Sequence, residues 1–178
     1  MGLDAPKSNE MFAGNNWELP TDIHLVDSAA DAFVDRLVEA GWDRESDNVF
    51  YLQIAFREAL ANAIAHGNLG VAMPENSDQT ISQIAEAEQE RNPSEKKVHV
   101  DIEVDDRKVS VTITDEGTGF DFENPPNVAE GEKALQASGR GIMVMKGSFD
   151  SVAYSKEAGG GTRVTMTKER QEESAISA

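Results

Sequence analysis

The residues best placed to do chemistry begin with Glu58, Asn62 and His66. They stand four apart, so on a helix they form one polar stripe. At 100° per residue, Glu58 lies about 120° from the centre of the neighbouring apolar stripe and Asn62 about 80° from it. That puts them at the margin of a buried face. Ala55, Ala59 and Ala63 line the same side and leave room for a close approach. A carboxylate and a carboxamide one turn apart could hold a base and a metal ligand over a phosphate. Mg²⁺ takes oxygen ligands and keeps several waters, so one Asn oxygen beside phosphate oxygens suffices. The same spacing also describes an ordinary amphipathic helix with a solvated margin. His66, near the helix C-terminus, suits the helix dipole when protonated and needs no catalytic role for that.

Three glycine-containing stretches follow. Asp115-Glu116-Gly117-Thr118-Gly119-Phe120-Asp121 comes directly after an alternating segment. Its glycines permit tight turns, and Asp115 could accept a hydrogen bond from an exocyclic amine such as that of adenine. Alone it also reads as a β-turn. Calcium-loop spacing is not met, because the further acidic ligands are missing. Ser138-Gly139-Arg140-Gly141 precedes Ile142. Glycines at a helix start let N–H groups face a phosphate, and Arg140 adds a forked cationic donor. A linker before a short core helix would look the same. Gly160-Gly161-Thr162 enters the last strand and alone is only a hairpin turn.

The elements that must carry these residues are legible from periodicity. Trp17 to Leu19 reads as a short strand stopped at Pro20. Ala30, Phe33, Val34, Leu37 and Val38 mark a helix over residues 27–40, closed by Gly41. A second helix runs from about Asp47 to His66. Ser46 or Asp47 is its N-cap, Gly67-Asn68 its stop, and Val49, Leu52, Phe56, Ala59, Leu60 and Ala63 its apolar stripe. Residues 98–104 and 109–114 alternate as strands around a turn at Asp105-Asp106-Arg107-Lys108. A short helix from Gly139 to about Phe149 precedes a last hairpin, residues 151–155 and 162–167. The strands are adjacent and the helices cluster early. This predicts an α+β two-layer sandwich, a mixed and mostly antiparallel sheet with helices on one face.

Residues 70–97 read as an insertion or flexible excursion. They are polar, contain Pro74 and Pro93, and hold one weak helical pattern at Ile81, Ile84 and Ala85. Residues 1–16 read as a flexible arm and residues 169–178 as a polar tail. The domain between them spans residues 17–168.

Composition narrows the function. The chain has 178 residues, enough for one domain. Its 16 basic and 33 acidic residues give a net charge of −17. That argues against general binding to nucleic acid or anionic membrane. With no cysteine, disulfides, thiolate catalysis and cysteine-ligated zinc are excluded. The longest apolar run, Ile142-Met143-Val144-Met145, is far short of a membrane span. No secretory signal pattern opens the chain, so a cytoplasmic protein is expected. The charge is uneven. From Gly131 to Phe149 it sums to +2, from Glu132, Lys133, Arg140 and Lys146, which leaves −19 elsewhere.

Taken in order, Glu58-Ala59-x-x-Asn62-Ala63-x-x-His66-Gly67, Asp115-x-Gly117-x-Gly119, Gly139-Arg140-Gly141 and Gly161-Thr162 resemble the GHKL, or histidine-kinase-like, ATPase superfamily. They look like its N box, G1 box, G2 box and terminal Gly-Thr. The His-Gly ending of the first and the compact Ser-Gly-Arg-Gly-Ile stretch resemble the anti-sigma-factor serine/threonine kinases within it. The resemblance implies a Bergerat fold binding ATP and Mg²⁺ between helices and sheet. It implies Glu58 as general base, Asn62 as magnesium ligand and Asp115 as the contact to adenine. Gly117 and Gly119 would shape the adenine pocket. Gly139, Arg140 and Gly141 would bind phosphate, with Arg140 also stabilising the transferring group, and His66 and Thr162 would line the nucleotide site. It also implies an anti-anti-sigma factor as phosphoacceptor, a sigma factor or similar regulator as second partner, and a homodimer. The long 70–97 segment departs from compact members and bears on the partner and the dimer contact. Two other readings stand beside the kinase. One is a nucleotide-dependent module that sequesters a regulator with little or no transfer. The other is a histidine kinase fragment, for which His24 is the only histidine ahead of the motifs, and it lacks a dimerising helix around it.

Overall fold

The computed structural model describes residues 8–72, 78–119 and 139–171. Five strands form one sheet: β1 Asn16–Pro20, β2 Lys97–Val104, β3 Lys108–Asp115, β4 Ser151–Lys156 and β5 Thr162–Glu169. Their order across the sheet is β1-β2-β3-β5-β4, and every neighbouring pair is antiparallel. The helices are α1 Ser8–Met11, α2 Val26–Glu39, α3 Asp47–Asn62, α4 Ile81–Arg91 and α5 Gly139–Ser148. A 3-10 turn, Ile23–Leu25, leads into α2, and a π-helical turn, Ala63–Asn68, continues α3.

Alternation along the strands decides which side of the sheet is covered. Trp17 and Leu19, Val98, Val100 and Ile102, Val109, Val111 and Ile113, and Val164 and Met166 are buried and point to one face. The intervening Glu18, Asp101 and Arg163 are exposed on the other. Against the covered face lie Phe33, Val34 and Leu37 of α2 and Leu52, Phe56 and Leu60 of α3. Phe33 stacks on Phe56 with centroids 4.6 Å apart, and Trp17 meets Phe56 edge-on at 6.2 Å. Such pairs add about 0.5–1.5 kcal/mol beyond their burial. The architecture is the α+β two-layer sandwich expected from the sequence, with a sheet that is antiparallel throughout the described residues.

Local chemistry fixes the ends of the elements. Ser46 caps α3 by accepting from the Val49 amide. The β2–β3 turn is held by Asp105, whose carboxylate accepts from the Arg107 and Lys108 amides and so sits below its ordinary pKa. Trp42 Nε1 donates to the Asp105 carbonyl at 2.7 Å, tying the end of α2 to that hairpin. Within the predicted excursion, Thr80 and Gln83 make a reciprocal capping box that starts α4. Gln89 of α4 accepts from the Ile23 amide and donates to Asp22, and Ala85 is fully buried. Met11 and Phe12 pack on the core, Phe12 edge-on to Trp17. No helix among the described residues is long and apolar enough to cross a membrane.

Candidate active site

The buried stripe of α3 turns Ala55, Ala59 and Ala63 inward and leaves Glu58 and Asn62 half-buried at its edge, as their angular positions predict. The first turn of α5 lies directly on this pair. A Cβ on Gly141 would stand 3.1 Å from Glu58 Oε2 and 3.3 Å from Asn62 Nδ2. A residue with a side chain at 141 would therefore press on both polar groups. Two motifs about 80 residues apart in the chain are brought together here. Gly139 and Arg140 form the first two residues of α5. Ser138, Lys133, Phe120 and Asp121 lie outside the described residues, and Lys146, on α5, is exposed.

Beyond Asn62 the helix widens. The Leu69 amide donates to the Ile64 carbonyl at 2.9 Å, a five-residue closure. Ala63, Ile64 and Ala65 are all buried, three in a row. Single π-turns inside helices are frequent at functional sites. The turn directs His66 at the Val71 carbonyl, 2.7 Å from Nδ1. A carbonyl only accepts, so Nδ1 carries the proton and a neutral ring leaves Nε2 as an acceptor. The next residue, Gly67, passes over Asp115, and a Cβ there would come within 2.4 Å of Asp115 Cγ.

Asp115 ends β3 and is 6% exposed. Its Oδ1 accepts from the Gly117 amide at 2.9 Å and the Thr162 amide at 3.2 Å. Burial raises its pKa above the ordinary 3.8, and the two N–H donors oppose that shift without cancelling it. The backbone is packed tightly around it. A Cβ on Gly161 would lie 1.8 Å from the Asp115 carbonyl oxygen, and one on Gly117 would lie 2.2 Å from the Gly67 carbonyl oxygen. Gly119 has φ +79°, in the left-handed region. Gly67, Asp115, Gly117, Gly119, Gly161 and Thr162 thus form one assembly, fed by three different elements.

Asn68 holds this assembly to the sheet, a role its sequence position as a helix stop does not reveal. Its amide donates to Thr21 Oγ1 and to the Lys97 carbonyl, both at 2.9 Å, and its oxygen accepts from the Glu116 amide at 2.8 Å. Glu116 in turn accepts from the Lys97 amide and pairs with His99 at 3.0 Å. Those contacts hold its carboxyl below its ordinary pKa. An Asn just past a His-Gly pair carries no local signal for this role, because its partners lie 29 to 48 residues away.

The site's parts are thus a carboxylate and a carboxamide under a glycine-opened helix start, with a buried aspartate in a glycine-lined turn at the same end of α3. The family profile for the histidine kinase-like ATPase domain matches residues 80–168. This chain belongs to that family. The matched span carries Asp115, Gly139–Gly141 and Thr162, while Glu58 and Asn62 precede it on α3. Among curated proteins, the chain is similar to the Anti-sigma F factor of Clostridium botulinum strain Alaska E43 / Type E3. The two are 29% identical over 130 residues, covering 71% of this chain and 74% of that protein. It is 28% identical, with the same coverage, to the Anti-sigma F factor of strain Eklund 17B / Type B. A solved mycobacterial sensor histidine kinase, MprB, aligns with a TM-score of 0.43 at 17% identity. That alignment covers 84% of this chain and 97% of that one.

Proposed function

We propose that this chain is an anti-sigma-factor-type serine/threonine protein kinase. It binds Mg·ATP, phosphorylates an anti-anti-sigma factor and regulates transcription in the cytoplasm by switching between that partner and a sigma factor. The observation that carries the reading is the close approach of Gly141 to both Glu58 and Asn62, where an added Cβ would stand 3.1 and 3.3 Å from them. The two side chains that suit a base and a metal ligand meet the helix start that suits a phosphate.

The donor set fits the nucleotide. Asn62 offers an oxygen to Mg²⁺, which prefers oxygen ligands. The amides of the first turn of α5 and the Arg140 guanidinium would hold phosphate oxygens. Asp115 would accept from the adenine amino group, with Gly117, Gly119 and Thr162 around it, and His66 would offer Nε2. When bound, Mg·ATP supplies a transferable γ-phosphoryl group. Glu58 takes the proton of the acceptor hydroxyl, and Arg140 stabilises the charge that develops during transfer. On a chain of net charge −17, Arg140 and a helix N-terminus also offset repulsion of the anionic nucleotide.

The likeness to anti-sigma F factors favours a second reading in which nucleotide-dependent sequestration of a regulator dominates. Radiolabelled ATP separates the two. The kinase reading expects label on a Ser or Thr of the acceptor with wild type and none with Glu58→Ala. Capture of a regulator that depends on Mg·ATP, with no label transferred by wild type, would replace it with sequestration.

A further inference from the structure

Glu58 is reached from two sides. One is the α5 side, where Gly141 lies against it. The other is a separate cleft of about 370 Å³ between the start of α2, α3 and α4, whose wall includes Glu58. That volume is at the small end of ligand sites, which run from about 300 to 1,000 Å³, and it suits a short chain segment. We infer that this cleft receives the hydroxyl-bearing segment of a protein acceptor flanked by basic residues, with α4 as its outer wall. This rests on the kinase reading proposed above.

Charge and rigidity point the same way. Arg57 pairs with Asp27 within the cleft, and Glu86 of α4 lies 3.3 Å from His24. None of the ion pairs among the described residues involves Glu58. The cleft therefore carries net negative charge on a chain of net −17, and a lysine or arginine beside the acceptor hydroxyl complements it. The wall is held in place before anything binds. Gln89 bonds the Ile23 amide and Asp22, and the His24–Glu86 pair spans from α4 to the 3-10 turn. Such a wall limits the ordering cost of binding. The acceptor oxygen bonds to the γ-phosphorus, the bond from that phosphorus to the β–γ bridging oxygen breaks, the hydroxyl proton moves to Glu58, and ADP leaves.

The chain has no cysteine, which makes a clean block possible. Ser82, exposed and on the cleft wall, is changed to cysteine and then modified with a bulky maleimide; unmodified protein is its own folding control. The probe is a fluorescent serine peptide with lysines on both flanks, followed by anisotropy without nucleotide, alongside a glutamate-flanked peptide. The cleft predicts binding of the basic peptide and at least tenfold weaker binding of the acidic one. It also predicts at least tenfold loss for the modified Ser82→Cys and for Glu86→Lys, with ATP affinity unchanged in both. Equal affinity for the two peptides, no binding of either, or binding untouched by the two variants would overturn it. Phosphorylation of the basic peptide that the modified Ser82→Cys does not reduce would overturn the cleft and leave the kinase standing. Peptide binding that both variants abolish, with no transfer by wild type and Mg·ATP, would support the cleft and remove the kinase.

Discussion

Asp115→Ala and Asp115→Asn separate two things that the buried carboxylate does. Alanine leaves the Gly117 and Thr162 amides without their acceptor in a buried site. Each orphaned donor costs about 1–3 kcal/mol, so the loss is about 2–6 kcal/mol. Against a domain stability of about 5–15 kcal/mol, that is a large fraction. Asparagine keeps an oxygen for both donors and removes a charge that burial disfavours. The pH dependence has a fixed sign. A carboxyl whose folded pKa is raised above 3.8 contributes stability that is fully present below that value. It is lost as pH rises through the higher folded pKa. Wild type should therefore lose ground to Asp115→Asn between acid and neutral pH, and the two should converge below about pH 4. Urea denaturation followed by circular dichroism at several pH values measures both effects. An alanine variant within about 0.5 kcal/mol of wild type, or an asparagine variant as damaged as the alanine one, would refute the reasoning. Nucleotide binding adds a separate readout. With its oxygen committed to the two amides, the asparagine side chain would face adenine with a second amino group. ATP affinity of Asp115→Asn should fall about 5- to 150-fold, the equivalent of about 1–3 kcal/mol.

Other substitutions test the scaffold and the metal. Asn68→Ala strands the Glu116 amide and the Lys97 carbonyl. It should cost about 2–4 kcal/mol in urea titrations and weaken ATP binding in calorimetry. Gly161→Ala drives a Cβ into the Asp115 backbone carbonyl and should cost about 3 kcal/mol or more. Gly159→Ala, with nothing within 4 Å, should stay within about 0.5 kcal/mol of wild type in the same assay. Asn62→Ala should raise the Mg²⁺ concentration needed for half-maximal ATP binding while leaving the fold intact by circular dichroism.

The fold was legible where one periodicity governed a segment. All six residues of the predicted α3 stripe, from Val49 to Ala63, are buried, and Ser46 caps the helix. The strands alternate as their sequences do, because one face is packed and the other meets water. The approach of Gly67 to Asp115 and the π-turn were not legible. A 3.6-residue period extended through His66 hides the widening over Ala63–Asn68. The role of Asn68 depends on partners 29 to 48 residues away, which no local pattern contains. In the 70–97 stretch, Thr80-x-x-Gln83 was a readable capping box. The weak helical pattern at Ile81, Ile84 and Ala85 marks the short helix that α4, Ile81–Arg91, forms there. The candidate site was visible because its motifs need particular residue types. Their mutual contact depended on the sheet and α5, which the motifs do not encode.

The central claim is that Glu58 serves the chemistry and not the binding of ATP. One paired measurement addresses it: the ATP dissociation constant and the single-turnover rate of γ-phosphate transfer to the acceptor, in wild type and Glu58→Ala. The account predicts ATP affinity within about twofold of wild type, with transfer reduced at least about 100-fold, the lower range for removing a general base. Transfer at the wild-type rate by Glu58→Ala, with ATP bound equally well, would contradict it.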